Sequence, residues 1–183
     1  MTVILRPATF EDAQGVANVY IQGWINAFSS FVPAEYIESV NAKRLETNRE
    51  ELSKPNPSPS KALMIAQDTN ENTIVGICTV GLSRDTPAAI NGQYKYEMYC
   101  VYVLPSYHGK GIAKQLVASA LKAFNVPEEE KLYCNVFLKN NRAMRFYEKL
   151  GAVEVYRETT DFYSPSPEVV ITLGWPNLKK ILN

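Results

Sequence analysis

The 183-residue sequence contains few of the side chains from which metal centres and disulfide frameworks are built. It has one histidine, His108, and three cysteines, Cys78, Cys100 and Cys134, without any Cys-x-x-Cys pair. Each cysteine lies in an apolar, strand-like run, which is typical of reduced and buried thiols. We therefore expect neither a disulfide scaffold nor a metal cofactor.

An excess of charge and a long apolar run are also missing. The 19 basic residues balance the 19 acidic residues, whereas proteins that bind nucleic acid usually carry a basic excess that neutralises phosphates. No run of about 18 apolar residues occurs, and the apolar stretch that ends at Leu5 is too short for a secretory signal. These absences predict a cytoplasmic protein without nucleic-acid or membrane partners.

The apolar residues that are present predict one α/β domain over residues 1–183, since 46% of the residues are hydrophobic and a core of that size can form. A strand is predicted at 3–6, a helix after the Thr9 cap and a second helical stretch from Pro33 to about residue 52. Strands and helices then follow in mixed order, with strands at 61–67, 73–82, 94–104, 131–138, 153–157 and 169–173, and helices at 112–124 and 140–150.

A glycine-bearing turn joins the strand at 94–104 to the next helix. Gly109 and Gly111 lack the Cβ atoms that would keep a pyrophosphate away from the free amides of the helix N-terminus. Lys110 and Lys114 add positive charge there. A Walker A loop needs Ser or Thr after Gly-Lys, and a Rossmann motif needs a third glycine where Lys114 stands, so neither fits.

Two segments of the sequence carry specific motifs. The segment from His108 to Ala113 reads His-x-x-Gly-x-Ala, and the segment from Asn140 to Gly151 reads N-x-x-A-x-x-F-Y-E-K-x-G. They resemble the pyrophosphate motif, [Gln/Arg]-x-x-Gly-x-[Gly/Ala], and a characteristic helix of the GNAT superfamily of N-acetyltransferases, with His108 in place of Gln or Arg. The opening Leu5-Arg6-Pro7-Ala8-Thr9 also looks like that family, so the resemblance covers essentially the whole chain.

The resemblance implies a mixed, mostly antiparallel sheet of seven strands flanked by about four helices, with strands four and five splayed apart. Acetyl-CoA would lie in that gap as the acetyl donor, without any metal. The residues expected to contact it are Val101, Tyr102, Val103, His108, Gly109, Lys110, Gly111, Ile112, Ala113, Lys114, Asn140 and Tyr147.

Direct transfer of the acetyl group to a primary amine needs a base and an acid. Glu97 is the predicted base, acting after burial or through water because its ordinary pKa lies about six units below that of an amine. Tyr147 is the predicted acid for the departing thiolate. Cys100 and Cys134 could carry an acetyl-enzyme intermediate, but neither has an evident activating base, which favours direct attack in a ternary complex.

The acceptor pocket is predicted among aromatic residues of the first two helices, with Trp24, Phe28 and Tyr36 as the binding residues. The carboxylates of Glu38, Asp85 and Asp161 are weaker candidates for contact with a cationic acceptor. Three alternatives stay open: a non-catalytic CoA-binding sensor or partner module, a protein acetyltransferase that acts on lysine or N-terminal amines, and transfer of a longer acyl group. Edge strands and the apolar Ile181-Leu182 pair make a homodimer a further possibility.

Overall fold

The computed structural model describes residues 2–84, 90–161 and 167–183. Within these ranges seven strands form one mixed sheet: β1 (Val3–Pro7), β2 (Lys61–Asp68), β3 (Thr73–Leu82), β4 (Tyr96–Val103), β5 (Leu132–Phe137), β6 (Val153–Thr160) and β7 (Glu168–Trp175). The same ranges contain six α-helices: α1 (Ala13–Phe28), α2 (Ala34–Ala42), α3 (Arg44–Leu52), α4 (Ile112–Ala123), α5 (Asn141–Lys149) and α6 (Lys179–Leu182). Among the described residues, none of the helices combines the length and the apolar character that a membrane crossing needs.

The sheet has the strand order β1-β2-β3-β4-β5-β7-β6, and β4 and β5 are parallel while the other neighbours are antiparallel. β4 and β5 pair only at their first residues, Tyr96 with Leu132 and Glu97 with Tyr133. Beyond these pairs the two strands diverge, although each stays paired to its outer neighbour. The predicted mixed sheet with splayed fourth and fifth strands is thereby confirmed.

A β-bulge in β4 changes which side chains face each side of the sheet. Thr79 of β3 pairs with Cys100, whereas the next residue, Val80, pairs with Met98, so that Tyr99 is the extra residue. Met98 before the bulge and Val101 after it therefore pack on the same face, against α4. Cys100 faces the opposite side, toward α1.

Amphipathic helices cover both faces of the sheet. On one face α4 packs against β2, β3 and β4, and its predicted apolar side is buried in the main core at Ile112, Leu116, Val117, Ala120 and Leu121. On the other face α1 packs against α3, β3 and β4 around Val16, Ile65 and Ile77. β4 is therefore held between two separate apolar cores.

The structure corrects two expectations from the sequence. The single helical stretch after Pro33 is two helices, because the Lys43 amide bonds to the Asn41 carbonyl instead of continuing the α-helical ladder. Ile181 is only 1% exposed and packs in the main core, where the Leu178 amide donates to the Glu128 carbonyl at 2.7 Å. Ile181 is thus a core residue, and the use of Ile181 as evidence for a dimer surface was wrong.

The chain entry into α1 is held by a part-buried ion pair. Both terminal nitrogens of Arg6 donate to the Asp12 carboxylate, at 2.6 and 2.8 Å, and the Thr9 amide donates to the same carboxylate at 2.8 Å. Arg6 also donates to Gln67 of β2. Burial raises the pKa of Asp12, but the bonds from Arg6 and Thr9 outweigh it, and the pKa is lowered overall.

We expect Asp12→Asn to reduce the free energy of unfolding by about 2 kcal/mol at pH 7, because it removes the charge that Arg6 and Thr9 bind. A carboxylate with a lowered folded pKa contributes stability above its unfolded pKa of about 3.9 and loses that contribution as pH falls through the folded value. The difference between wild type and variant in urea unfolding should therefore shrink below about pH 4.

Glu154→Gln is the control, because Glu154 forms an exposed pair with Arg157. That substitution should change the free energy of unfolding by less than about 0.5 kcal/mol. Equal losses in the two variants, or a loss in Asp12→Asn that persists unchanged to about pH 2, would show that the Asp12 ion pair does not anchor the helix.

Candidate active site

A cleft opens where β5 departs from β4. The side chains of β3 beside it are almost all buried, yet β4 becomes half-exposed from Tyr99 onward although it is a central strand. The Leu104 amide donates to the Val75 carbonyl of β3 at 2.8 Å, so the Val103 carbonyl, on the other side of that peptide, faces the cleft. By the same alternation Val101 directs its N–H and C=O into the cleft. β4 thus offers a free strand edge, the feature that an extended amide-containing ligand can pair with.

The glycine turn lies at the end of this edge. Gly109 and Gly111 have φ values of +75° and +76°, which L side chains rarely adopt, and Gly111 is the N-cap of α4 without any side-chain cap. The amides at the start of α4 therefore have no intrahelical acceptor and point out of the helix. With the positive end of the helix dipole and the cation of Lys110, they form a site suited to a pyrophosphate.

The remaining predicted phosphate contacts belong to the first turn of α4. Ile112 buries its side chain in the main core, so only its backbone amide is available to a ligand. Ala113 and Lys114 are half-buried in the same turn. The Lys110 ammonium lies 4.8 Å from the ring centroid of Tyr107, which keeps the positive charge beside the turn.

His108 has a different role from the one that the family motif implies. Its Nε2 lies 2.6 Å from the Val103 carbonyl oxygen, and since a carbonyl only accepts, Nε2 carries the proton and donates. Burial lowers the pKa of His108 and outweighs the opposing effect of this bond, so the ring is neutral at pH 7. Nδ1 is then an acceptor that cannot donate to a phosphate, and His108 instead ties the turn to the end of β4.

Tyr102 is also placed differently from the prediction. Its backbone faces β3, where it pairs with Ile77, and its ring makes an edge-to-face contact with Tyr20 of α1 at 5.7 Å between centroids. Neither its backbone nor its ring lies at the free edge of β4, so Val101 and Val103 carry the predicted strand contacts without it.

The second motif places Asn140 and Tyr147 at the two ends of α5. Asn140 is the N-cap, and its side-chain oxygen accepts from the Ala143 amide at 3.1 Å, which leaves its NH₂ group for a ligand. The Tyr147 ring is buried against Phe146 and Trp175. Burial raises the pKa of Tyr147 well above its ordinary value, so the phenol is protonated at neutral pH.

Glu97 lies at the apex where β4 and β5 begin to diverge, and it is only 4% exposed. Its carboxylate accepts from the Arg84 side chain at 2.6 and 3.1 Å, from the Arg84 amide at 3.1 Å and from the Tyr133 hydroxyl at 3.1 Å. The Arg84 guanidinium in turn stacks on the Tyr99 ring, 3.7 Å from its centroid. With four donors around it, Glu97 can receive a substrate proton only through one of these groups or through water.

The cysteines lack the features of nucleophiles. Burial raises the pKa of Cys100 and, more strongly, that of Cys134, so both are thiols and not thiolates at neutral pH. The Cys100 sulfur lies 3.1 Å from the Tyr20 hydroxyl. Within the described ranges no group of three or more His, Cys, Asp or Glu side chains is arranged to hold a metal ion.

An aromatic cluster closes the α1 side of the cleft. Phe28 of α1 is buried and packs edge-to-face on Phe137 of β5 at 5.3 Å, and Phe31 contacts the same ring at 5.4 Å. Trp24 lies between Phe28 and Tyr36, at 4.9 and 6.3 Å. Phe28 is thus a wall of the cleft, while the half-buried Trp24 and Tyr36 keep surface that an acceptor can contact.

The sequence did not predict the polar residues on the α1 side of the cleft. Tyr20 bonds to Cys100, and the Arg44 guanidinium of α3 lies 4.5 Å from the Tyr20 ring centroid. The only local signal was that Asn48 lies three residues after the inward-facing Leu45 and four residues after Arg44. Of the carboxylates considered for a cationic acceptor, Glu38 and Asp161 are exposed and Asp85 lies outside the described residues.

Comparison with known proteins agrees with this arrangement. The model of the acetyltransferase (GNAT) family matches residues 24–152. The chain is 24% identical over 184 residues to YuaI of Bacillus subtilis, an uncharacterised N-acetyltransferase, with 99% of each chain covered. It is 29% identical over 75 residues to the spermidine N(1)-acetyltransferase of Vibrio cholerae, which covers 40% of this chain and 43% of that protein.

A solved structure has the same fold. The PaiA N-acetyltransferase of Thermoplasma acidophilum, in complex with coenzyme A, superposes with a TM-score of 0.72 at 20% identity, covering 96% of this chain and 100% of that one. The family model alone spans more than half of the chain. The protein therefore belongs to the acetyltransferase (GNAT) family and is an acetyl-CoA-dependent N-acetyltransferase.

Proposed function

We propose that this protein transfers the acetyl group of acetyl-CoA to a primary amine of a small molecule, by direct attack in a ternary complex. The observation that carries the proposal is the edge of β4 at Val101 and Val103, with which β5 does not pair. This edge leads to the backbone amides that follow Gly111 at the start of α4. Bound acetyl-CoA supplies the acetyl group and a thiol leaving group. The edge of β4 would bind its pantetheine amides, the glycine turn its pyrophosphate, and Asn140 the arm between them.

The acceptor amine must lose a proton before or during attack. With an ordinary pKa of about 10.4, it is neutral in only about one molecule in 2,500 at pH 7, a handicap of about 4.6 kcal/mol. Glu97 is the proposed base, and Tyr133 is the proposed relay because its hydroxyl bonds both to Glu97 and, at 3.2 Å, to Ser83. Arg84 would keep the carboxylate oriented toward that relay.

Tyr147 is the proposed acid. A thiol has an ordinary pKa of about 8.5, below that of a phenol, so a protonated tyrosine can stabilise the departing thiolate by a hydrogen bond. Burial keeps Tyr147 protonated, as its raised pKa indicates. The raised pKa values of Cys100 and Cys134 argue against an acetyl-enzyme route.

The proposal is tested by calorimetric titration with acetyl-CoA, followed by a free-thiol assay against small amines and peptides. Thiol release with small amines supports the proposed function. Release with peptides alone would establish a protein acetyltransferase instead. Tight binding of acetyl-CoA without release on any acceptor would favour a CoA-binding sensor, and absence of binding would refute the proposed cofactor site.

We expect Gly111→Ala to weaken acetyl-CoA binding at least tenfold, since a Cβ enters the pyrophosphate site and the αL backbone is strained. Gly92→Ala is a matched control, because Gly92 has the same φ of +76° and, among the described residues, no atom lies within 4 Å of an added Cβ. Both variants should lose about 1 kcal/mol of stability. Equal acetyl-CoA affinities in calorimetry would contradict the phosphate role of this turn.

We expect Tyr147→Phe to lower kcat about 10²-fold while the KM for acetyl-CoA stays nearly constant, because only the proton donor is removed. Phenylalanine keeps the ring that packs against Phe146 and Trp175, so stability should hardly change. Tyr156→Phe on β6 serves as the control, without any expected effect. A Tyr147→Phe enzyme with the kcat of the wild type would remove Tyr147 from the chemistry.

We expect Glu97→Gln to lower kcat/KM strongly at pH 7 and progressively less toward pH 10. The neutral fraction of the amine rises tenfold for each pH unit below its pKa, so a base is needed less as pH increases. The measurement is kcat/KM against pH for both enzymes. A deficit of the same size at every pH would indicate that Glu97 only anchors the apex of the cleft.

A further inference from the structure

Three polar side chains line the junction of α2 and α3. Arg44 and Asn48 lie four residues apart on α3 and share a face of that helix, and Asn41 lies in the last turn of α2, three residues before Arg44. Asn48 is only 2% exposed and lies on α3 between Leu45 and Leu52, which both pack in the core beneath α1. This face of α3 therefore points into the protein and not to solvent.

The three side chains have buried polar atoms that the fold leaves unpaired. In the described ranges, Asn41 Oδ1, Arg44 Nε and Asn48 Nδ2 are buried and have no hydrogen-bond partner. Arg44 also forms no ion pair with any described carboxylate. Buried polar groups in folded proteins are nearly always paired, so three of them together indicate a place for a ligand.

The cluster lies beside the splayed half of β4. The Arg44 guanidinium carbon is 4.5 Å from the Tyr20 ring centroid, and the Tyr20 hydroxyl is 3.1 Å from the Cys100 sulfur. Cys100 directly precedes Val101, whose backbone faces the cleft. Arg44 thus lies on the side of β4 that faces α1, and α1 is the helix that carries the half-buried Trp24.

The chemistry of the cluster selects an anion. Arg44 Nε and Asn48 Nδ2 are both donors, and the guanidinium fork matches the geometry of a carboxylate with two parallel hydrogen bonds. Asn41 Oδ1 is an acceptor and suits an N–H group next to that carboxylate. The positive charge of Arg44, which no described carboxylate balances, would repel the cationic groups of a polyamine.

We propose that the acceptor is a free amino acid, with its carboxylate bound by Arg44 and Asn48. The proposal rests on the function proposed above and names its substrate class. A free amino acid carries its carboxylate one carbon away from its amine, whereas a peptide chain has an α-carboxylate only at its C-terminus. Arg44 and Asn48 would position the acceptor and leave the proton transfers to Glu97 and Tyr147.

The experiment screens the twenty common amino acids, and for each one that is acetylated or bound, its carboxamide. Acetylation is followed by thiol release, and binding by calorimetry in the presence of CoA, which needs no turnover. At least one amino acid should be acetylated with kcat/KM tenfold or more above that of its carboxamide. Spermidine, as a polycation, should be a poorer acceptor than that amino acid.

Arg44→Met keeps an unbranched side chain over Tyr20 but removes the charge. It should reduce binding and kcat/KM for the amino acid at least tenfold, leave its carboxamide within about twofold, and leave acetyl-CoA affinity unchanged. Arg44→Lys keeps the charge without the fork and should recover only part of the loss. Arg49→Met, at an exposed arginine of the same helix, is the matched control and should behave as wild type.

The outcomes separate this inference from the proposed function. Acetylation of amino acids and their carboxamides at equal rates, or of spermidine alone, overturns the carboxylate site and leaves the amine acetyltransferase intact. Amino-acid binding that Arg44→Met abolishes, without acetylation of any amine, supports the carboxylate site and refutes the proposed function. If no amino acid is bound or acetylated, the inference is wrong.

Discussion

The divergence of β4 and β5 after two residue pairs is the constraint on which the rest of this structure depends. Two parallel strands in the interior of a sheet normally pair along their length, because unpaired backbone groups in a protein interior are costly. Here the backbone groups of Val101 and Val103 face an opening instead of a neighbouring strand. The sheet can tolerate this gap because the Val103 carbonyl accepts from the His108 ring, and water or an amide ligand can reach the other groups in the opening.

Two unrelated sets of contacts keep the strands apart. On one face α4 buries its apolar side against β2, β3 and β4, while Tyr147 of α5 packs on Trp175 of β7. On the other face Phe28 and Phe31 contact Phe137 at the end of β5. Each set holds a different strand, so that neither core can collapse into the gap without losing contacts of its own.

Features that depend on neighbours in sequence were predictable, and those that depend on distant residues were not. Gly109 and Gly111 before an amphipathic helix indicated the turn, because glycine is the residue that readily adopts the backbone conformation such a turn requires. The bond from His108 to Val103 depends on the orientation of the His108 ring, which the residue type alone does not determine. Arg84 meets Glu97, and Arg44 meets Tyr20, only after the sheet and helices have assembled, so no spacing indicates either contact.

The extra residue Tyr99 decides which side chains of β4 face α4 and which face α1. Without the bulge, with Tyr99 taking a regular place in the ladder, the faces of everything that follows would be exchanged, sending Cys100 toward α4 and Val101 toward α1. The donor half and the acceptor half of the site would then trade partners even though every side chain was still present. Substitutions that keep the bulge can therefore accumulate along β4 during evolution, whereas an insertion or deletion that shifts the alternation by one place is expected to be eliminated.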